Sequence, residues 1–143
     1  MLKVLTPDIL VAPQIALSTI DEAKALGVTL IVNNRPEGES ADQTPGAEIE
    51  AAAKAAGIGY VAIPVSPGGF AAWQIDAMDA ALAEHEGKVL CYCRSGTRST
   101  FLWSLSRARA GDNPDDIAAT AADAGYDVSP LFEMMHALSA QGR

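Results

Sequence analysis

Cysteine is scarce in this 143-residue chain: there are only Cys91 and Cys93. Two thiols with one residue between them cannot build a disulfide framework, and they cannot form a zinc site of four cysteine or histidine ligands. Histidine is equally sparse (His85 and His136). No metal-ligand spacing occurs, so no metal and no cofactor is expected. Long apolar runs are missing too; none approaches the roughly 20 residues of a membrane span. The opening MLKVLTPD lacks the apolar segment and cleavage site of a secretory signal. Positive charge is short, with 10 Lys and Arg against 18 Asp and Glu and a net charge of −8. That balance argues against a nucleic-acid footprint or a polybasic membrane patch. A cytoplasmic location is the expectation.

What remains is globular: 49% of residues are hydrophobic and 20% charged, more apolar than a disordered chain. A chain this long buries roughly two-thirds of its unfolded surface and needs no staple. Residues 1–143 read as one domain, of which 113–143 form a C-terminal helical part.

Residues 3–14 predict a hairpin around the Thr6-Pro7-Asp8 turn. Ser18-Thr19-Ile20-Asp21 fits a capping box opening a helix that stops at Gly27. Residues 28–32 are continuously apolar and β-branched, as a strand covered on both faces should be. A polar loop over 33–44 follows, then a helix opened by Pro45 with Thr44 as cap. Strands are predicted at 60–63 and 88–92, helices at 71–86 and 99–110. Asn113-Pro114 and Ser129-Pro130 open two short C-terminal helices. This alternation predicts an α/β fold of three layers: a mostly parallel central sheet with helices on both faces.

In such a sheet, ligands bind beyond the carboxyl ends of the strands. The loop Cys93-Arg94-Ser95-Gly96-Thr97-Arg98 is the sharpest signal there, because it links a strand directly to a helix. Its amides and the positive end of the helix dipole should converge on one point and hold an anion. Cys93 stands at the mouth, and Arg98 can offer a bidentate fork. The same field stabilises a sulfur anion, so Cys93 is expected to act as a nucleophilic thiolate. Cys91 lies within the strand and reads as core; residues two apart rarely meet disulfide geometry.

Four stretches carry a resemblance: APQ at 12–14, NNRPEGE at 33–39, IPVSPGG at 63–69 and CRSGTRS at 93–99. Together they resemble the bacterial phosphatase-like domain found alone or fused to beta-lactamase-fold hydrolases. The match reaches from residue 3 to the Gly-Tyr-Asp at 125–127. The resemblance implies a dual-specificity-phosphatase-like fold with the cysteine loop as its phosphate loop, and a beta-lactamase-fold hydrolase as a partner. The CRSGTRS string is also similar to the active-site loop of bacterial rhodaneses.

The departures separate the two chemistries. Only Arg94, Ser95, Gly96 and Thr97 lie between Cys93 and Arg98, one fewer than in a tyrosine phosphatase loop and equal to the rhodanese-like spacing. Tyr92 stands where a phosphatase usually has His. The loop 64–69 (PVSPGG) holds no acid to protonate a leaving alkoxide, and the nearest, Asp76, falls in the following helix. These departures rank a persulfide-forming sulfurtransferase first and a phosphatase acting through phosphocysteine second. A non-catalytic anion-binding module is the third reading. The substrate is expected to be a small sulfur or phosphate anion.

Arg94 is expected to face substrate or solvent, and Ser95, Gly96 and Thr97 to line the cradle. Ser99 is expected to cap the helix and donate to the thiolate. Asn34 and Arg35 read either as support or rim contacts for the anion, or as turn chemistry before Pro36. His85 and His136 read as surface or packing residues rather than catalytic bases.

Overall fold

The computed structural model describes residues 2–84 and 86–142. Its elements alternate as the punctuation predicts: β1 (Lys3–Thr6), β2 (Ile9–Ala12), α1 (Leu17–Ala25), β3 (Val28–Asn33), α2 (Gly46–Ala55), β4 (Gly59–Ala62), α3 (Ala72–Glu84), β5 (Lys88–Tyr92), α4 (Thr97–Arg109), α5 (Pro114–Asp123) and α6 (Phe132–Gly142), with a 3₁₀ turn (Ser129–Leu131) before α6. The sheet order is β1-β2-β5-β3-β4. Among the described strands only β1 runs antiparallel, as the partner of β2 in the N-terminal hairpin. The fold is α/β with a mostly parallel sheet.

Alternation along the strands makes two cores. Val11, Val32, Val89 and Cys91 face the layer of α3 to α6, with Leu102, Leu105 and Met135. Leu10, Ile31, Leu90 and Tyr92 face the layer of α1 and α2, with Ile20 and Ile49. The register places Ala12 opposite Tyr92 and Asn33 opposite Tyr92 on its other side. The carboxyl ends of β2, β3 and β5 are therefore level, and the loops leaving them meet.

Three helix starts differ from the sequence expectation. α1 begins before Ser18, because the Thr19 hydroxyl accepts the Ala16 amide at 3.1 Å. Pro45 lies outside α2 rather than opening it. The Gly46 amide is satisfied instead by Glu37 Oε1 at 2.8 Å, reaching back from the long loop. A Cβ at position 46 would lie 2.8 Å from the Glu37 carboxylate and 2.9 Å from the Tyr60 hydroxyl, so a larger residue there would displace the side chain that holds the helix start. α4 begins at Thr97, two residues early. Ser99 is therefore inside the helix and does not cap it. Asn113 does cap α5, its Oδ1 accepting the Asp115 amide at 2.8 Å. The reading of His85 lies outside the described residues. His136 is exposed on α6.

α4 is mostly buried although it carries Ser99, Thr100, Ser104 and Ser106. The Thr100 and Ser104 hydroxyls donate to carbonyls one turn back, at 2.9 and 2.8 Å. That bonding lets a polar helix sit against the core without unpaired hydroxyls. Among the described residues no helix is long and apolar enough to cross a membrane.

Candidate active site

β5 ends at Tyr92, and the chain turns through Cys93 to Gly96 into α4. Gly96 takes φ +91°, a left-handed conformation that glycine adopts without steric cost. This geometry turns its amide onto the Cys93 sulfur, which accepts it at 3.1 Å. The sulfur is fully buried and set against the first turn of α4, where the helix dipole favours negative charge. Cys91 is likewise fully buried, and burial pushes its thiol up to about 12. It stays a neutral core residue, as the sequence indicates.

Arg98 leaves the first turn of α4 and crosses to the neighbouring loops. Its Nη1 donates to Glu39 Oε2 at 2.6 Å and to the Val65 carbonyl at 2.7 Å, and its Nη2 donates to Glu39 Oε1 at 2.8 Å. A guanidinium has five N–H donors. These bonds take three and leave Nε–H and the second Nη2–H, which lie side by side on one edge. The Cys93 sulfur acts on the same guanidinium, after Glu39, in holding it protonated. That edge has the geometry of a candidate bidentate anion fork, on the guanidinium that the Cys93 sulfur also acts on.

Glu39 has a second cation behind it. Arg35 is 4% exposed and spends its side-chain donors on Glu39 Oε1, Gln14 Oε1 and Ser40 Oγ, at 3.0, 3.0 and 3.1 Å. The hydrogen bond from Arg98, then that from Arg35, holds the Glu39 carboxyl down at about 2 against the opposing effect of burial. Glu39 is therefore a fixed anion at neutral pH. Arg35 braces Glu39 and Gln14; none of its nitrogens is directed at the cysteine loop.

Asn34 is a strut as well. Its Nδ2 donates to the Ile63 carbonyl at 2.9 Å and its Oδ1 accepts the Ser99 hydroxyl at 2.7 Å. The Ser99 hydrogen thus goes to Asn34 and not to the sulfur. Ser95, not Ser99, meets the helix start: its Oγ accepts the Thr97 amide at 3.4 Å and donates to the Thr97 hydroxyl at 3.0 Å. The Arg94 side chain is exposed, and its carbonyl accepts the Gln14 amide at 3.2 Å. Asp76 lies in α3 and pairs with Arg109 at the far end of α4, at 2.7 Å. It is not an acid for this site.

The structure thus brings Cys93, Gly96 and Arg98 together, and adds Glu39, Gln14, Val65 and Tyr126, whose hydroxyl donates to the Ser95 carbonyl at 3.2 Å. Glu39 and Gln14 lie inside the NNRPEGE and APQ strings, which was the only sequence signal for them. Val65 contributes a carbonyl, which no side-chain pattern marks.

Residues 1–110 match the family described as the beta-lactamase hydrolase-like protein, phosphatase-like domain. The chain belongs to this family. A beta-lactamase hydrolase-like protein from Xylella fastidiosa is 38% identical over 104 residues, which is 71% of this chain and 24% of the relative. The chain therefore spans about a quarter of the length of such relatives. A candidate phosphatase from Neisseria meningitidis has a solved structure that is 28% identical, with a TM-score of 0.84 and coverage of 95% of this chain and 96% of that one. Kinase associated phosphatase shares the fold, with a TM-score of 0.76 at 15% identity over 94% of this chain and 86% of that one. The phosphatase-like domain family is thus built here on a fold common to dual-specificity and tyrosine phosphatases.

Proposed function

We propose that this domain is a cysteine-dependent phosphatase acting on small phosphate monoesters. The observation that carries the reading is the Cys93 sulfur held by the Gly96 amide at 3.1 Å, with the Arg98 guanidinium acting on the same sulfur. The Neisseria meningitidis neighbour, a candidate phosphatase matched over nearly its whole length, supports it. The sequence alone ranks sulfur transfer first; the family and this neighbour favour the phosphatase.

In this mechanism the ester's phosphoryl oxygens take the loop amides and the Arg98 edge. The Cys93 thiolate attacks phosphorus. An S–P bond forms as the P–O bond to the leaving group breaks, and the leaving oxygen takes its proton from solvent. Water then attacks the phosphocysteine, the S–P bond breaks, inorganic phosphate departs and the thiolate is restored. Glu39 donates no proton, because two arginines keep it ionised; its task is to hold Arg98. A chain of net charge −8 repels anions at long range, so binding depends on this local cradle.

Sulfur transfer is the second reading. It is favoured by the four residues between Cys93 and Arg98 and by the lack of an acid on the loop after β4. Cys93 would take a sulfane sulfur from a thiosulfate- or persulfide-type donor and pass it to a thiol. Phosphate release from p-nitrophenyl phosphate, measured beside sulfur transfer from thiosulfate, tests the order with parent and Cys93→Ser. Phosphate release that disappears in Cys93→Ser supports the phosphatase, whereas sulfur transfer far above phosphate release overturns it. Arg98→Ala is expected to cost roughly 2–4 kcal/mol of transition-state stabilisation, the scale of a preorganised anion donor. A beta-lactamase-fold hydrolase is the proposed partner on the resemblance, and co-purification after co-expression tests it.

A further inference from the structure

Tyr126 lies between α5 and the 3₁₀ turn, beyond residues 1–110 and within the Gly-Tyr-Asp at 125–127 to which the sequence resemblance extends. Its hydroxyl donates to the Ser95 carbonyl at 3.2 Å. That carbonyl and the Gly96 N–H are the two ends of one planar amide. The Gly96 N–H donates to the Cys93 sulfur at 3.1 Å. A continuous path of two hydrogen bonds through a single peptide group therefore runs from the phenol to the nucleophile.

The path has a physical consequence. A donor on a carbonyl oxygen draws density through the amide and strengthens the N–H at its other end. It also fixes the peptide plane, and the plane decides whether the N–H meets the sulfur. Tyr126 is itself held in place. Its amide donates to the Ala121 carbonyl at 2.9 Å, and the Lys3 ammonium lies 5.5 Å from the ring centroid. Its hydroxyl fills the space where a Gly96 side chain would begin, 2.2 Å from an ideal Cβ.

We propose that Tyr126 is a positioning residue that orients and polarises the Ser95–Gly96 peptide, and through it keeps the Cys93 sulfur reactive as an anion. It acts from outside the cradle, on the carbonyl side of the loop, and touches no substrate. The inference rests on Cys93 being the nucleophile, which phosphoryl transfer and sulfur transfer share, and not on either chemistry. Burial, and then the Cys93 charge, push the phenol above its ordinary value, so Tyr126 remains a donor at neutral pH. Arg98 of α4, itself held by Glu39, and Cys91 of β5 also feel the Cys93 charge.

The test is the pH dependence of Cys93 alkylation by iodoacetamide, followed by peptide mass mapping on the whole chain. Parent, Tyr126→Phe and Tyr126→Leu are compared. Tyr126→Phe keeps the ring and loses the donor. Its alkylation at pH 7 is expected to slow about threefold or more, with the half-maximal pH moved upward and the melting temperature close to the parent's. Tyr126→Leu should show the same displacement. An unchanged profile in Tyr126→Phe overturns the proposal, as does a displacement confined to Tyr126→Leu, which would assign the effect to ring packing. Release of phosphate from p-nitrophenyl phosphate is measured in parallel. If the parent releases none, the phosphatase reading fails while the alkylation profile still decides the role of Tyr126.

Discussion

Glu39 holds both terminal nitrogens of Arg98, at 2.6 and 2.8 Å, from 59 residues earlier in the chain. The carboxylate takes the end of the fork and leaves the Nε–H and second Nη2–H on its side edge, so under the proposed function it orients the arginine without competing for the anion. Glu39→Gln should lower kcat/KM for a phosphate monoester, by up to about 3 kcal/mol, the upper range for a hydrogen bond to a charged group. Phosphate should also bind more weakly. Steady-state kinetics and calorimetry check this. Higher activity in Glu39→Gln would show that the carboxylate blocks the site.

The same pair predicts an acid limit. The Glu39 carboxyl lies lower in the folded chain, at about 2, than its ordinary value of 4.5. A group depressed by folding contributes stability that is complete above its unfolded-state value and is lost as pH falls through its folded value. The urea midpoint of the parent should therefore drop between about pH 4.5 and about pH 2 by more than that of Glu39→Gln. Parallel curves would remove Glu39 from the acid transition.

Asp76 is 67% exposed and paired with Arg109, and Glu39 is fixed as an anion. Neither of these two carboxyls is placed to act as an acid for the leaving group. Esters of acidic phenols should therefore turn over faster than alkyl esters by roughly 10²–10⁴, the scale usually supplied by a general acid. Asp76→Asn should leave the rate within about twofold of the parent, as expected of an exposed charge remote from the chemistry. A series of leaving groups checks both. Equal rates for aryl and alkyl esters, or a large loss in Asp76→Asn, would reveal an acid at work.

Gly96→Ala combines a strained backbone at φ +91° with a Cβ 2.2 Å from the Tyr126 hydroxyl. It should destabilise the domain by about 1–3 kcal/mol from the backbone alone and weaken phosphate binding. Adding Tyr126→Phe removes the closest atom and should recover part of the stability. Urea unfolding of the single and double variants measures the coupling. Purely additive losses would show that the contact relaxes at no cost.

Residues close in sequence were legible without coordinates. The β-branched runs and the glycines and prolines between them place every strand, and CRSGTRS on a strand–helix junction marks Cys93 and Arg98. Helix starts were less legible, because the groups that satisfy their amides come from unexpected places: Thr19 from inside α1, and Glu37 across a long loop. Arg35 and Asn34 were legible as polar residues at the end of a strand, with support of the site as one of two readings, but their partners were not. Their roles depend on which partners the sheet register brings level with them.

The amino-acid order alone determined the alternation of strands and helices and the cysteine loop at a strand–helix junction, since these arise from periodicity and from groups a few residues apart. Folding alone decided that Glu39 would hold Arg98 and that Tyr126 would reach the back of the cysteine loop. Those contacts join segments 59 and 31 residues apart. Local propensity carries no trace of such pairs; packing two helical layers on one sheet creates them.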